Sequence, residues 1–104
     1  MPRIYGDQLP ISLLETHALL ALCRQPCRAT EIGWAVMEQS ASVVTLTPNA
    51  THALVTRLEK AGYIGRPITL DGRRALRYEL TDKGRQRFAT SLGAYRRLLL
   101  ITHG

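Results

Sequence analysis

The stretch Thr47 to Ile64, TPNATHALVTRLEKAGYI, decides the fold, because the start, both faces and the stop of one helix can be read in it. Thr47 can cap the helix by accepting from a backbone N–H of the first turn, and Pro48 fits the first helical position, where a missing N–H costs nothing. From there Thr51, Leu54, Val55, Leu58 and Ala61 recur at steps of three and four, which puts them on one stripe that can face a core. Asn49, His52, Ala53, Thr56 and Lys60 fall on the opposite side. Gly62 can take the left-handed conformation that closes a helix, so the helix is predicted to stop near Ala61, and Tyr63 and Ile64 are good strand formers. The outer face holds short or polar side chains and no large apolar group. Such a face suits close approach to the major groove of a duplex, whereas a merely solvated helix usually carries several Glu and Lys.

A chain of 104 residues supports one small domain, without room for two lobes around a deep catalytic cleft. Its formal net charge of +6 is unevenly placed. Residues 1–56 hold three basic and four acidic side chains, and residues 57–104 hold eleven basic and four acidic ones, a balance of −1 against +7. The positive half begins inside the helix at 47–61. That one-sided field suits a polyanion, bound through phosphate neutralisation and counterion release.

Other function classes find little in the sequence. His17, His52 and His103 are scattered, no Ser-His-Asp or Cys-His spacing recurs, and no glycine-rich phosphate loop precedes a helix, so no enzyme, cofactor or metal site is expected. Cys23 and Cys27, the two cysteines, are spaced C-x3-C, which matches neither a common zinc pair nor a redox motif. Cys23 is expected in the core with Cys27 nearby. No apolar run is long enough for a membrane and the N-terminus lacks a signal peptide's regions, which places the expected location in the cytosol.

Outward from the helix, residues 1–11 read as an N-terminal lead. Ser12 can cap a helix in which Leu13, Leu14, His17, Leu20, Ala21 and Cys23 or Arg24 complete three turns with an aliphatic inner face, ended by Gln25-Pro26. Arg28-Ala29 can make a brief extended piece, and Thr30 can cap a second helix to about Gln39 with Ile32, Ala35 and Val36 inward. Trp34 and Met37 lie off that stripe; they can cover the core edge or touch a partner, and the core edge is the favoured reading. Ser40 to Leu46 reads as a loop with a possible extended stretch.

On the other side, Tyr63–Leu70 and Arg74–Leu80 read as two strands. Ile68 and Leu70 share a face of the first, and Leu76, Tyr78 and Leu80 share a face of the second. If Ile68 faces Leu76, the loop holds an odd number of residues, Asp71 to Arg73 at its shortest, and a two-residue Asp-Gly turn is excluded. Pro67 removes a ladder donor, so the first strand should be an edge or be bulged there. Thr81 can then cap a long final helix, with Gly84 at its third position. Phe88, Leu92, Tyr95 and Leu99 form a stripe long enough to leave the domain and meet another copy, and Leu98 to Ile101, LLLI, is apolar on too many sides for water. The expected fold is therefore mainly α with a small β-hairpin: a winged helix-turn-helix over residues 12–80, with residues 81–104 as a C-terminal dimerisation helix.

TPNATHALVTRLEKAGYI followed by LDGRRALRYELTDKG resembles the recognition helix and wing of MarR-type regulators, with their Ser-Pro-x-x, Arg-Leu-Glu-x-x-Gly, Asp-x-Arg-Arg and Leu-Thr-x-x-Gly elements. It is similar also to PadR-type regulators, which share the Arg-Leu-Glu-x-x-Gly and Leu-Thr-x-x-Gly parts and the short chain. The chain lacks the long N-terminal dimerisation helix of the first family. It also lacks the Gly-Tyr-Glu-Ile element and Leu-Tyr pair of the second, having Ala29-Thr30-Glu31-Ile32 and Thr51-His52. The resemblance implies a DNA-binding transcriptional regulator of repressor type, a homodimer on double-stranded DNA, with a small-molecule effector left open. It implies that Thr47, Asn49, His52 and Thr56 approach base edges or phosphates in the major groove, that Arg57 lies in the same interface, and that the wing at 71–74 brings Arg73 and Arg74 to the minor groove or backbone.

Each has a plainer alternative: Thr47 can serve only as a cap, Arg57 can pair with Glu59 or Asp71, Arg77 can pair across the hairpin, and Arg85 and Arg87 can form a solvated face. The alternative for the whole chain is a winged-helix subunit for protein contact without DNA binding.

Overall fold

The structure, a computed structural model, describes residues 11–103; the lead lies outside the described residues apart from Ile11. Four helices and one short antiparallel pair follow each other as α1 (Leu13–Arg24), α2 (Ala29–Gln39), α3 (Pro48–Lys60), β1 (Ile64–Gly65), β2 (Glu79–Leu80) and α4 (Asp82–His103). This is a winged helix: three helices around one core, a hairpin wing, and a long terminal helix. The core joins Leu19 and Leu22 of α1, Ile32 and Val36 of α2, and Leu54, Val55 and Leu58 of α3. Cys27, Ile64 and Leu80 close it at the root of the wing.

The starts of α1 and α3 follow their sequence signals. Ser12 Oγ accepts from the Glu15 N–H at 3.1 Å, and Thr47 Oγ1 accepts from the Ala50 N–H at 3.1 Å, each satisfying a donor that the helix itself leaves open. At the end of α3, Gly62 has φ +81° and the Tyr63 N–H reaches back to the Leu58 carbonyl at 3.1 Å, a closure that favours glycine.

The buried face of α1 is Thr16, Ala18, Leu19, Ala21 and Leu22, with Leu13 exposed and Leu14, His17 and Leu20 half-buried, so the expected phase is corrected. This helix is apolar on nearly all sides and packs against α2, α4 and β2, and periodicity alone does not choose among its faces. Thr16 can be buried because its hydroxyl meets the Ser12 carbonyl at 2.9 Å and Ser91 Oγ of α4 at 3.2 Å. The cysteines exchange places: Cys27 is buried and Cys23 exposed. Cys27 sits in the extended link after α1, where its backbone pairs with Tyr78 in both directions at 3.1 and 2.7 Å. That link, one residue earlier than expected, carries it into the core.

Helix α2 begins at Ala29, not after a Thr30 cap, because the Glu31 carboxylate accepts from the Arg28 N–H at 2.8 Å and fixes the entry there. Trp34 does not cover the core edge; it is 64% exposed. Residues 40–46 form a loop without a strand. Ala41 and Ser42 have φ +52° and +64°, and the Ser42 N–H closes α2 onto the Met37 carbonyl at 2.8 Å, a role glycine usually takes.

The wing keeps the expected parity and shifts the register. Ile64 pairs with Leu80 and Gly65 with Glu79, whereas farther out Ile68 pairs with Arg74 instead of Leu76. Two extra residues therefore sit on the second strand, where Tyr78 leaves the ladder to pair with Cys27. The break falls beside Pro67, which has no N–H to give. The tip is an odd, three-residue loop, Leu70 to Gly72, closed by the Thr69 N–H donating to the Arg73 carbonyl at 2.7 Å.

Helix α4 is stapled to the end of α3. Thr81 Oγ1 accepts from the Gly84 N–H at 3.0 Å and donates to the Gly62 carbonyl at 2.6 Å, the Thr81 N–H donates to the Tyr63 carbonyl at 3.0 Å, and Lys83 Nζ donates to the Ala61 carbonyl at 2.8 Å. A Cβ on Gly84 would lie 2.0 Å from the Tyr63 carbonyl oxygen, which explains the glycine of the Leu-Thr-x-x-Gly element. Beyond it, Ser91 is fully buried and the Tyr95 hydroxyl donates to the Ile11 carbonyl at 2.7 Å.

Candidate nucleic-acid interface

The core grips α3 through Thr51, Leu54, Val55 and Leu58, and this leaves the opposite side of the helix outward. Asn49, His52, Ala53, Arg57 and Lys60 are exposed and Thr56 is half-buried, as their spacing implies. His52, Ala53, Thr56, Arg57 and Lys60 line one shallow, open groove along the helix. Thr47 is a cap, and its exposed hydroxyl keeps a proton to donate to an acceptor such as a phosphate oxygen. The face thus offers an amide, an imidazole, hydroxyls and two cations, with no bulky apolar side chain to hold a groove at a distance.

Arg57 pairs with neither Glu59 nor Asp71. Its Nε lies 3.8 Å from Glu15 Oε1 on α1, and its side chain remains 55% exposed. A pair so open to solvent contributes little to stability. It restrains the guanidinium while leaving other N–H groups outward. Arg77 likewise turns to Glu31 of α2, at 3.7 Å, and not across the hairpin. Arg85 pairs with Asp82 at 3.4 Å on its own helix, both side chains open to water, in keeping with a solvated face.

At the wing tip, Asp71 is the organising group. The Thr69 hydroxyl and the Arg73 backbone N–H donate to its carboxylate, and in that order they hold it below the ordinary carboxylate range. Arg73 Nε is 3.9 Å away and highly exposed, and Arg74 donates to the Arg66 carbonyl at 3.3 Å. Because Ile68 faces Arg74 while Thr69 faces Arg73, the two arginines lie on opposite sides of the hairpin. Asp71 and this separation relieve the repulsion that adjacent guanidiniums would otherwise suffer. Arg66, which the sequence did not single out, places its guanidinium carbon 5.5 Å from the Tyr78 ring centre at the wing root. Its position beside Pro67 in the basic half was the available signal.

Of the terminal stripe, Phe88 packs against the core and Tyr95 is tied to Ile11, so both are used within the chain. Leu92 and Leu99 are 50% and 59% exposed, and Leu98, Leu100 and Ile101 are exposed with them. Among the described residues no helix is long and apolar enough to cross a membrane, and no group of three or more His, Cys, Asp or Glu could hold a metal.

No protein-family model matches the sequence, and no curated protein sequence matches it. Solved structures do match. A PadR-like transcriptional regulator from Bacillus cereus superposes with a TM-score of 0.69 at 16% identity, over 88% of this chain and 88% of its own. A PadR family transcription regulator from Clostridium difficile gives 0.68 at 19% identity, over 88% and 96%. A transcriptional regulator from Clostridium thermocellum gives 0.68 at 18% identity, over 86% and 88%. The chain thus shares the winged-helix fold of these regulators.

Proposed function

We propose that this protein is a sequence-specific, double-stranded-DNA-binding transcriptional regulator of repressor type, acting in the cytoplasm as a homodimer. The observation that carries the reading is the outward face of α3, free of large apolar groups, on the same molecule as an arginine-bearing wing. Asn49, His52 and Thr56 read base edges in the major groove; Thr47 and Arg57 fix the register on phosphates; Arg73 and Arg74 hold the minor groove or backbone beside it. The fold shared with transcriptional regulators supports the same reading. The exposed aliphatic end of α4, with Leu92 and Leu99, joins two copies, while Phe88 and Tyr95 hold that helix to its own domain. Two recognition helices would then meet half-sites about 34 Å apart, one turn of the duplex. The domain boundary in this reading falls at 81, between the winged helix at 12–80 and the dimerisation helix.

The test is selection of duplexes from a random library, followed by binding titrations over a range of salt. Asn49→Ala or His52→Ala should cost about 1–3 kcal/mol on the selected duplex and much less on random DNA. Removing both Arg73 and Arg74 should weaken binding to all sequences and flatten the salt slope by about one unit for each phosphate no longer neutralised. Sedimentation of the full chain as a concentration-independent monomer would defeat the homodimer. A second reading, a protein-contact subunit, draws on the exposed LLLI end. It prevails if affinity for every duplex is weak and the outer-face variants leave it unchanged.

A further inference from the structure

The wing carries a feature that phosphate contact alone does not use. Leu70, the first residue of the tip loop, is 110% exposed, more than in an extended reference chain. Ile68 lies two residues before it and pairs with Arg74, and Leu76 follows two residues after that partner, so three aliphatics fall within the outer part of the hairpin. Ile68 and Leu76 are also exposed, and none of the three joins the core.

The loop that presents Leu70 is held in one shape. The Gly72 N–H donates to the Thr69 carbonyl at 2.9 Å, Gly72 has φ +81°, and the Thr69–Asp71–Arg73 bonds brace the turn. A braced tip loses little conformational entropy when it enters a site. Arg73 and Arg74 flank the tip loop with Asp71, while nearer the root Arg66 lies over Tyr78 and Arg77 pairs with Glu31; residues 66–77 carry a net charge of +3. A second copy would bring the same charge to the same place, which disfavours wing-to-wing contact. A partner with anionic edges and apolar faces that open between its layers, narrow enough to admit a hairpin tip but not a helix, matches both properties, and the minor groove of a duplex, with its stacked base pairs, is such a surface.

We propose that Leu70 is a minor-groove wedge: it enters between two base pairs under the wing, partly unstacks them and bends the duplex, with Arg73 and Arg74 on the flanking phosphates. This rests on the duplex-binding reading above and goes beyond it, since it assigns the wing a shape-reading role. Apolar side chains inserted at a step unstack it and kink the duplex, and pyrimidine–purine steps yield most easily. Selected duplexes should therefore favour TA or CA/TG steps at the wing position.

The experiment uses the full chain and the duplex recovered by selection, with 2-aminopurine placed in turn at each step beneath the wing and end-to-end energy transfer reporting the bend. Wild-type protein should raise 2-aminopurine emission at one step and shorten the end-to-end distance. Leu70→Ser should abolish both signals and weaken binding roughly tenfold per wing, with an unchanged salt slope, because apolar burial disappears while every phosphate stays neutralised. Full exposure of Leu70 means that the variant should fold normally, which its unfolding midpoint would verify. Equal affinity and bend in wild type and Leu70→Ser would overturn the wedge, as would a drop in affinity that tracks weakened self-association in sedimentation. Failure of the wild-type chain to bind any duplex would instead defeat the regulator reading itself.

Discussion

Replacing Gly84 with alanine tests whether the staple between α3 and α4 holds the fold. The added Cβ would stand 2.0 Å from the Tyr63 carbonyl oxygen and 2.9 Å from its carbon, both backbone atoms, so no side chain can swing aside. The start of α4 would have to withdraw by about 1 Å before the contact reached even 3.0 Å. That movement strains the bonds of Thr81 to the Tyr63 and Gly62 carbonyls. Overpacking costs about 1–3 kcal/mol, and two weakened hydrogen bonds add about 1 kcal/mol each. Alanine's helix preference returns about 1 kcal/mol. The net expectation is a destabilisation of about 2–4 kcal/mol, or a midpoint lower by about 10–20 °C for a domain of this size. Gly93→Ala is the internal control, because that glycine lies in the same helix with open space where its Cβ would go. It should stabilise by up to about 1 kcal/mol. Both are measured by urea and thermal unfolding at one protein concentration. If Gly84→Ala were neutral, or matched Gly93→Ala in sign, the close approach would not be a constraint and the reasoning would fail.

Ser91→Ala should cost no more than about 1 kcal/mol, since Thr16 keeps its bond to Ser12, whereas Ser91→Val should cost about 1–3 kcal/mol by overfilling a closed site; chemical denaturation separates the two. Exposed Cys23 should react rapidly with iodoacetamide and buried Cys27 only on unfolding, a difference that mass spectrometry of the peptides reads directly. Burial first and Glu31 second push the Cys27 thiol above its ordinary 9.0, so the unfolded chain loses that proton first and stability should fall as pH rises past 9; a flat profile that matches Cys27→Ala would contradict this. Thr69→Val should return the Asp71 carboxyl towards its ordinary range in an NMR titration. In the wild type the brace should persist above that range and be lost as pH falls through the depressed value.

Much of this architecture is legible where its causes are local. Helix α3 is readable end to end because Thr47, Pro48 and Gly62 act within one turn and its apolar stripe is single. The parity of the wing is readable because alternation depends only on the strand, yet its register is not, since Tyr78 is diverted by Cys27, which is distant in the chain. The phase of α1 stays ambiguous because leucines and alanines surround that helix, and the deciding contact, Thr16 with Ser91, joins far-apart segments. At the candidate interface, periodicity places the outward residues of α3. The partner of Arg57 is not readable in the same way, because Glu15 becomes its neighbour only when α1 packs. Trp34 faces solvent although its size argues for the core, because its place on the helix decides the matter.

The staple at Gly84 has a mechanical meaning. Because the first turn of α4 is bonded to the end of α3, these two helices behave as two arms of one bell crank with its pivot at residues 61–84. Ser91 and Tyr95 tie α4 to Thr16 and Ile11 as well, so the domain turns as one piece, and a turn of about 10° carries Ile101, about 25 Å from Gly84 at 1.5 Å per residue, through about 4 Å. The same turn swings α3. In the homodimer proposed above, whatever alters the angle at which the two terminal helices cross would therefore be delivered as a change in the spacing of the two α3 helices, with no rearrangement inside either domain.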